Sequence, residues 1–372
     1  MTSDEKYMQM ALRLARRGIG SVEPNPAVGC VIVKDGKIVG KGWHKKFGGP
    51  HAEINALKNC KQSPVGATMY VTLEPCCHFG KTPPCTDAIK KSGIKKVVAA
   101  TKDPTKKVNG KGFKILKKTG IKVITGICKN EAETLNAPFF HFAKTKKPWV
   151  IIKWAQSADG FLARKDKKRW ITNSKSRKDA HKLRRKVQAI LVGINTVLAD
   201  DPILTARPDT GKQPLRVVLD SQLKIPLNCN LIKTLKKSPV LVFTTNRNNK
   251  KILLLKKKGA EVIAVPSVKG KCNLKTVLAK LAQRDIQQLL VEGGPTVITS
   301  FLKQGLADEI CVYIAPKILG SKGIVNITEP MAELSEAVGL HYVDTKRFGD
   351  DIRITGLLGK AVDKLLTSGD KQ

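Results

Sequence analysis

A cluster of metal-binding side chains dictates which parts of a chain must meet, and this chain carries one. The stretch TLEPCCHFGKTPPC, residues 72–85, holds three cysteines and a histidine, and HAE at 51–53 adds a second histidine beside an acid. Three fates are open to such a set: a structural zinc knot, a disulfide site, or half of an active site. The start MTSDEKYMQM lacks the basic-then-apolar pattern of a secretory signal. No apolar run approaches the roughly eighteen residues of a membrane span, and the end KLLTSGDKQ is a polar tail rather than a lipid anchor. A cytoplasmic protein with no membrane contact is expected. There, nine cysteines read as thiols or metal ligands before they read as a disulfide framework.

At 372 residues the chain exceeds what one hydrophobic core usually serves, and its pattern changes midway. DEKYMQMALRLARR, residues 4–17, starts acidic, ends basic and repeats apolar residues at helical spacing. CVIVKDGKIVGKG reads as a hairpin about Asp35-Gly36. Helix and strand then alternate through HAEINALKN, ATMYVTL, CTDAIKKSG, KKVVAAT, FKILKKTG and IKVITG. That order predicts a mixed sheet with helices on both faces. NAPFFHFAKTKKP, residues 136–148, breaks the rhythm and reads as the domain connection. WVIIKWAQSADG restarts it. QAILVG, PLRVVLD, PVLVFTT, AEVIAVP, IQQLLVEGG, EICVYIAP and DIRITGLL follow as strands, with SRKDAHKLRRK and LKTVLAKLAQR as helices. The expected architecture is α/β throughout: one domain over residues 1–145 and a second, largely parallel one over 149–362.

Zinc prefers tetrahedral nitrogen and sulfur ligands, and a catalytic ion keeps one position for water. H-x-E followed by P-C-x-x-C marks the zinc deaminases. Here HAE and EPC are present, but Cys76 and Cys85 are separated by eight intervening residues rather than two. Cys76 is read as ending a strand and Cys85 as opening a helix, so the two meet with His51 if CHFGKTPP loops out between them. Cys77 adjoins Cys76 and cannot easily turn to the same ion; His78 has the reach, but His51 already completes three ligands. His51 and Glu53, two apart, do not share a helix face, so both serve one site only if it lies off the helix N-terminus. Two thiolates would neutralise the ion, and Glu53 would carry a proton from water to a leaving group. That chemistry suits attack on an amidine carbon with loss of ammonia. A closed structural zinc site has no need of Glu53.

NPAVG at 25–29, HAE, VTLEPCCHFGKTPPC and DPTKKVNGKG together resemble the deaminase domain of the bifunctional riboflavin-biosynthesis deaminase/reductase family. The resemblance implies a cytidine-deaminase-like fold, one zinc per chain on His51, Cys76 and Cys85, and Glu53 as the catalytic proton carrier. It also implies Asn25, His44, Lys81 and Asp103 around the substrate. Plainer readings make Asn25 a turn cap, His44 a strand end, Lys81 a solvated loop lysine and Asp103 the start of a proline turn. Cys77 stands where the family often has serine, and Thr105 where it usually has asparagine.

No G-x-G-x-x-G follows a strand in the second half. The candidate phosphate cradle is LLVEGGPTVITSFL, where a strand ends at Glu292, two glycines follow and Pro295 opens a helix. KWAQSADGFLA, RWIT, HKLRRKVQAILVGINTVLADDPILTAR, RVVLDS and VEGGPTVITSFLKQGLADEI resemble, in order, the reductase domain of the same family. That implies a dihydrofolate-reductase-like fold and NADPH, lined by Ala155, Trp170, Thr196, Asp200, Ser221, Gly293, Gly294, Pro295, Thr296, Val297, Ile298 and Thr299. Arg184, Leu204, Arg207 and Glu292 would hold the substrate, a pyrimidine ribosyl phosphate. Lys168 stands near a family serine that contacts it.

The formal charge is +38, which raises a rival: an RNA-editing zinc deaminase with a basic nucleic-acid-binding second domain. The lysines are scattered at helix ends and turns, and aromatics make up only 5% of the chain, too few for base-stacking platforms. A small-molecule enzyme without a nucleic-acid partner is expected. A homo-oligomer is compatible with the sequence.

Overall fold

The computed structural model describes residues 1–165, 170–208, 211–332, 334–335, 337–359 and 361. Its backbone divides into two units, the first Met1–Lys146 and the second beginning at Lys147.

The first unit runs α1 (Ser3–Ala15), β1 (Gly29–Lys34), β2 (Lys37–Trp43), α2 (Ala52–Lys58), β3 (Thr68–Val71), α3 (Cys85–Lys91), β4 (Lys96–Ala99), α4 (Lys111–Lys118), β5 (Lys122–Thr125), α5 (Lys129–Leu135) and α6 (Ala137–Thr145). The sheet order is β2-β1-β3-β4-β5, with β1 antiparallel to β2 and β3 and the last three strands parallel. Side chains alternate across a strand, and here the alternation sorts them onto two cores. Cys30, Ile32, Met69, Val71, Val97 and Ala99 pack with Ala52, Ala56, Ile89 and Leu116 of α2, α3 and α4. Val31, Val33, Tyr70, Val98 and Ala100 pack on the other face with Met8, Ala11, Leu12 and Ala132 of α1 and α5. The first helix is fixed at its start by reciprocal bonds: Thr2 Oγ1 accepts from Glu5 N at 3.2 Å, and Glu5 Oε2 accepts from Thr2 N at 2.7 Å.

The segment 136–148, read from sequence as the domain connection, holds the boundary between the units after Lys146, but most of it is helix α6, which belongs to the first unit. Its proline sits in the first turn, where a missing N–H costs nothing. Phe140 and His141 are buried, and the Asn136 side chain bonds both N and O of Ala27 at 2.8 and 2.9 Å.

The second unit runs β6 (Trp149–Ser157), β7 (Phe161–Arg164), α7 (Ser174–Lys186), β8 (Ala189–Gly193), α8 (Ile194–Asp200), β9 (Leu215–Leu219), α9 (Asn230–Lys233), β10 (Val240–Thr244), α10 (Asn249–Lys257), β11 (Glu261–Ala264), β12 (Ser267–Val268), β13 (Lys271–Cys272), α11 (Leu274–Ala282), β14 (Gln288–Val291), α12 (Pro295–Lys303), β15 (Glu309–Ala315), β16 (Gly323–Asn326), α13 (Thr328–Met331), β17 (Leu340–Phe348) and β18 (Asp351–Leu358). Among the described residues nine strands form one sheet in the order β11-β10-β9-β8-β14-β6-β15-β18-β17. The first seven are parallel, and β18 pairs antiparallel with both β15 and β17. Near-continuous apolar strands such as AILVG and QLLV are what burial on both faces demands. Hydrogen bonding continues past the strand ends, Glu292 N to Leu191 O at 2.9 Å and Gly193 N to Gly293 O at 3.0 Å. The carboxyl ends of β8 and β14 are thereby held side by side, where open α/β sheets bind ligands.

Helix α2 lies directly on β2 because β2 carries glycines. A Cβ on Gly42 would stand 2.3 Å from Ala56 N and 2.5 Å from Ala52 O. Gly42→Ala is therefore expected to destabilise the first unit by about 2–4 kcal/mol as α2 is pushed off the sheet. Gly36→Ala, in a turn with open space around it, should cost about 1 kcal/mol, the ordinary penalty for a side chain at positive φ. Chemical denaturation of the two variants beside the parent checks the difference.

Candidate active sites

His51 is the N-cap of α2, with extended backbone (φ −71°, ψ 169°), so its ring turns back off the helix end while Glu53 sits in the first turn. Cys85 opens α3 as read from the sequence. Cys76 does not end a strand: β3 stops at Val71, and Cys76 lies in the irregular stretch that follows. The loop between the two cysteines closes on itself, with Thr86 N donating to Cys76 O at 3.2 Å and Cys85 N to Cys76 Sγ at 3.3 Å. Cys76 Sγ is 3.4 Å and Cys85 Sγ 3.3 Å from His51 Nδ1, and the three donor atoms lie within 4.8 Å of one another. Zinc bonds of ordinary length at a tetrahedral angle separate nitrogen from sulfur by about 3.5 Å, so the donor set fits that ion. Cys77 faces away, its Sγ 4.0 Å from Lys107 O, and His78 is not part of the group.

The protonation states agree with a site built for a cation. Cys76 is drawn down by its hydrogen bond with Cys85 and then by His51, against the effect of burial. Cys85 is pushed up by the same pairing with Cys76 and by burial. Glu53 is buried, its carboxyl pushed up to about 7 chiefly by that burial and then by the Cys76 charge. Its Oε2 has no protein hydrogen-bond partner. A buried carboxylate oxygen without a partner is costly, and its position among the donors suits a proton carrier.

A cavity of about 550 Å³ opens over these groups, and Asn25, His44, Lys81 and Asp103 all line it. His44 Nδ1 lies 3.0 Å from Pro50 O, an acceptor only, so Nδ1 carries the proton and Nε2 accepts from Asn25 Nδ2 at 3.1 Å. Burial lowers the pKa of His44, in keeping with this neutral form. Lys81 Nζ sits over the Phe47 ring, 4.1 Å from its centroid. Asp103 Oδ1 accepts from N and Oγ1 of Thr105 at 2.7 and 2.5 Å, so the threonine braces the acid from within its own turn. Glu74, not singled out from sequence, holds this loop: its carboxylate accepts from the backbone N–H of Asp103, Gly110 and Phe113 at 3.1, 2.9 and 3.3 Å. Its place just before PC and upstream of the glycine-containing DPTKKVNGKG was the available sign.

In the second unit Glu292 and Arg184 form a two-pronged pair, Nε to Oε1 and Nη2 to Oε2, each 2.7 Å. Burial alone would raise the Glu292 pKa, but Arg184 and then Lys153 outweigh it and hold the carboxyl down at about 2. Lys153 Nζ is 3.9 Å from Glu292 Oε2; the sign for it was one charge inside the otherwise apolar start of β6. Arg184 also donates to Thr205 O at 3.1 Å, an oxygen 3.2 Å from His181 Nδ1. His181 lies three residues before Arg184, on the same helix face. Burial, with Arg184 and Arg207 adding to it, lowers His181 to about 4.

The glycine pair lies against the first turn of α8. A Cβ on Gly294 would stand 3.3 Å from Thr196 Oγ1, and Gly293 has φ +126°, a conformation side chains rarely adopt. Pro295, Thr296, Val297, Ile298 and Thr299 form the opening turns of α12, with Thr299 buried and its hydroxyl without a partner. This glycine turn at a helix N-terminus fits a dinucleotide phosphate. Ala155 is half-buried in β6, and Asp200 ends α8, exposed. Trp170 is exposed beneath the Arg177 guanidinium. Ser221 Oγ accepts from Cys272 N at 3.0 Å. Leu204 is buried at φ +57°, and Arg207 is exposed. Lys168 lies outside the described residues.

Fold and sites together define a two-part enzyme of the class that joins a zinc-type deaminase unit to a reductase unit. The family model for the cytidine and deoxycytidylate deaminase zinc-binding region matches residues 1–101, and that for the RibD C-terminal domain matches 148–354. Riboflavin biosynthesis protein RibD of Aquifex aeolicus is 46% identical over 353 residues, covering 94% of this chain and 97% of its own. The Escherichia coli RibD is 38% identical, covering 94% and 98%. Among solved structures, Acinetobacter baumannii RibD superposes with TM-score 0.84 at 38% identity over 96% of this chain and 99% of that one. A Thermotoga maritima diaminohydroxyphosphoribosylaminopyrimidine deaminase/5-amino-6-(5-phosphoribosylamino)uracil reductase does so with TM-score 0.83 at 36% identity, covering 96% and 99%. The chain belongs to the RibD family, the bifunctional deaminase/reductases of riboflavin biosynthesis.

Two outcomes are expected. Cys85→Ser, which replaces a thiolate donor by a hydroxyl, should lower bound zinc well below one equivalent per chain by metal analysis while leaving the second unit folded. Glu292→Gln should destabilise the second unit by about 3 kcal/mol near neutral pH by leaving the buried Arg184 cation without its counter-charge. Because Glu292 is depressed in the folded state, that difference is full above an ordinary glutamate pKa of about 4.3. It should fade as pH falls towards about 2. Denaturation curves of both proteins across this range read it directly.

Proposed function

We propose that the first unit hydrolytically deaminates 2,5-diamino-6-ribosylamino-4(3H)-pyrimidinone 5′-phosphate, and that the second then reduces the ribosyl group of the product to ribityl with NADPH. The observation that carries the first half is the convergence of His51 Nδ1, Cys76 Sγ and Cys85 Sγ beside the unpartnered Glu53 Oε2. The name of the Thermotoga maritima relative supports the choice of substrates.

His51, Cys76 and Cys85 would hold a zinc ion, which when bound would supply a water molecule of lowered pKa. Glu53 Oε2 is placed to accept a proton and return it to a departing nitrogen, the role needed for water and an amidine to give a carbonyl and ammonia. Burial suits Glu53 to the task, since a carboxyl poised near neutrality both accepts and returns a proton. Asn25 and the neutral His44 offer a fixed polar edge to the pyrimidine, Asp103 a braced acceptor and Lys81 a cation at the cavity wall.

In the second unit Gly293–Thr299 with Thr196, Ala155, Trp170, Asp200 and Ser221 would hold the cofactor, which would supply the hydride. Glu292, Arg184, Leu204 and Arg207, with Lys168, border the substrate. Arg207, exposed in the connection between α8 and β9, is the guanidinium suited to a phosphate. Residues 1–145 and 149–362 are taken as the two functional domains. The substrate is a small molecule, and neither nucleic acid nor membrane takes part. Among the described residues no helix is long and apolar enough to cross a membrane. A cytoplasmic setting and a homo-oligomer are compatible with this reading.

Glu53→Gln keeps the shape of the carboxyl but cannot carry the proton. It should lower deaminase turnover by about 10²-fold or more while zinc content and NADPH-dependent reduction of the deaminated intermediate stay at parental levels. Loss of both activities in a folded, zinc-loaded variant would sink the two-site reading.

A further inference from the structure

Arg216, the second residue of β9, is fully buried, yet none of its partners among the described residues is a carboxylate. Its two Nη groups meet neutral oxygens alone, and its buried Nε has no partner among the described residues. Nη1 donates to Ile203 O at 3.0 Å and to Thr234 Oγ1 at 2.7 Å; Nη2 donates to Thr234 O at 3.0 Å and to Ser238 O. Burying a charge without a counter-charge is expensive, and β9 is otherwise apolar. The arrangement calls for a reason beyond filling space.

The reason lies in the segment 201–206. It leaves α8 with Asp201 at φ +39° and reaches Leu204 at φ +57°. Its backbone is held almost entirely by side chains. Asp201 is tied to Asn230, whose N and Nδ2 donate to Oδ1 and O at 2.7 and 2.8 Å. Ile203 O takes Arg216, Thr205 O takes Arg184 and faces His181, and Ala206 N donates to Gln213 Oε1 at 2.8 Å. Guanidinium groups therefore grip the segment on both sides of Leu204, one from α7 and one from β9. Arg184 is itself fixed by Glu292, whereas Arg216 ties the segment to Thr234 and Ser238.

We propose that Arg216 is a positioning residue for the reductase site: its guanidinium sets the conformation of residues 201–206 and so the placement of Leu204 and Arg207 against the substrate. This rests on the reading of that segment as the border of the sugar-phosphate site. Lysine, with one nitrogen, cannot span Ile203, Thr234 and Ser238, acceptors on two separate stretches of chain. Methionine fills the volume but takes the guanidinium donor from Ile203 O and Ser238 O, while Thr234 O keeps Lys237 N.

The test is steady-state kinetics of Arg216→Met, Arg216→Lys, Thr234→Val and Arg207→Ala in the full chain, following NADPH absorbance with the deaminated intermediate as substrate. Arg216→Met should raise KM for that substrate about tenfold, with KM for NADPH, deaminase kcat/KM and zinc content within about twofold of the parent. Arg216→Lys should recover part of the loss. Thr234→Val, which removes one acceptor and keeps the fold if Arg216→Met does not, should raise the same KM about threefold. A lowered melting temperature with the substrate KM unchanged in Arg216→Met and Thr234→Val overturns the proposal and leaves Arg216 merely structural, as does a common shift of both Michaelis constants. If Arg207→Ala raises the substrate KM while the Arg216 and Thr234 variants do not, the site reading stands and the positioning role falls. If Arg207→Ala does nothing while Arg216→Met raises KM, Arg207 loses its assigned contact and the positioning of the segment is upheld.

Discussion

The first unit depends on how closely one helix can approach one strand. Gly40 and Gly42 remove the side chains that would hold α2 away from β2. The helix start then falls where His51, as N-cap, turns its ring towards two sulfurs that arrive from another loop and another helix. Neither the sheet nor the cysteines alone would define a metal site; the register between α2 and α3 does. Glu53 follows from the same placement, because it sits in the first turn of α2, directly after the His51 N-cap. Its burial raises its pKa, and a raised pKa is what a shuttle working near neutrality requires.

The second unit uses charge differently. At its sheet ends a carboxylate and a guanidinium are locked in a two-pronged pair, with Lys153 alongside. Such a pair is weak evidence for stability, because desolvation offsets much of the attraction. Its value is orientation: Glu292 stands at the strand end beside the glycine turn, and Arg184 passes that fixed direction on to Thr205 O. The same carboxyl end of the sheet brings Gly193, Thr196 and the glycine pair together, so a rigid scaffold meets the part of the chain free of side chains.

Much of this was legible in the sequence, for identifiable reasons. Strand parity and helix spacing are short-range, so the alternation at 30–33 and 97–100 and the long apolar strands of the second half could be read directly. The metal ligands were legible because histidine and cysteine at those spacings serve few other purposes. The cysteine at 76 was placed at a strand end, since nothing local shows that β3 stops at Val71 and that the intervening residues are held by loop hydrogen bonds. The segment 136–148 looked like a linker because prolines and aromatics cluster there; its burial through Phe140 and the Asn136 bonds to Ala27 is a contact across more than a hundred positions. Glu74, Lys153, His181 and Arg216 were missed for a shared reason. Each acts through backbone groups or partners distant in sequence, and a charged residue gives no local sign of which carbonyl or N–H it will meet.

The stretch between Cys76 and Cys85 separates two tasks within one loop. Its ends are stapled by Thr86 N to Cys76 O and Cys85 N to Cys76 Sγ, while its tip, with Phe79 exposed and Gly80, Lys81 and Thr82 on the cavity wall, adds nothing to the donor group. Lengthening such a tip adds only a slowly growing entropy of closure. Residues 78–83 are thus a module whose contents can be exchanged while the inorganic centre keeps its shape. Selectivity for what enters the cavity and capacity for hydrolysis can evolve, or be engineered, on separate stretches of chain.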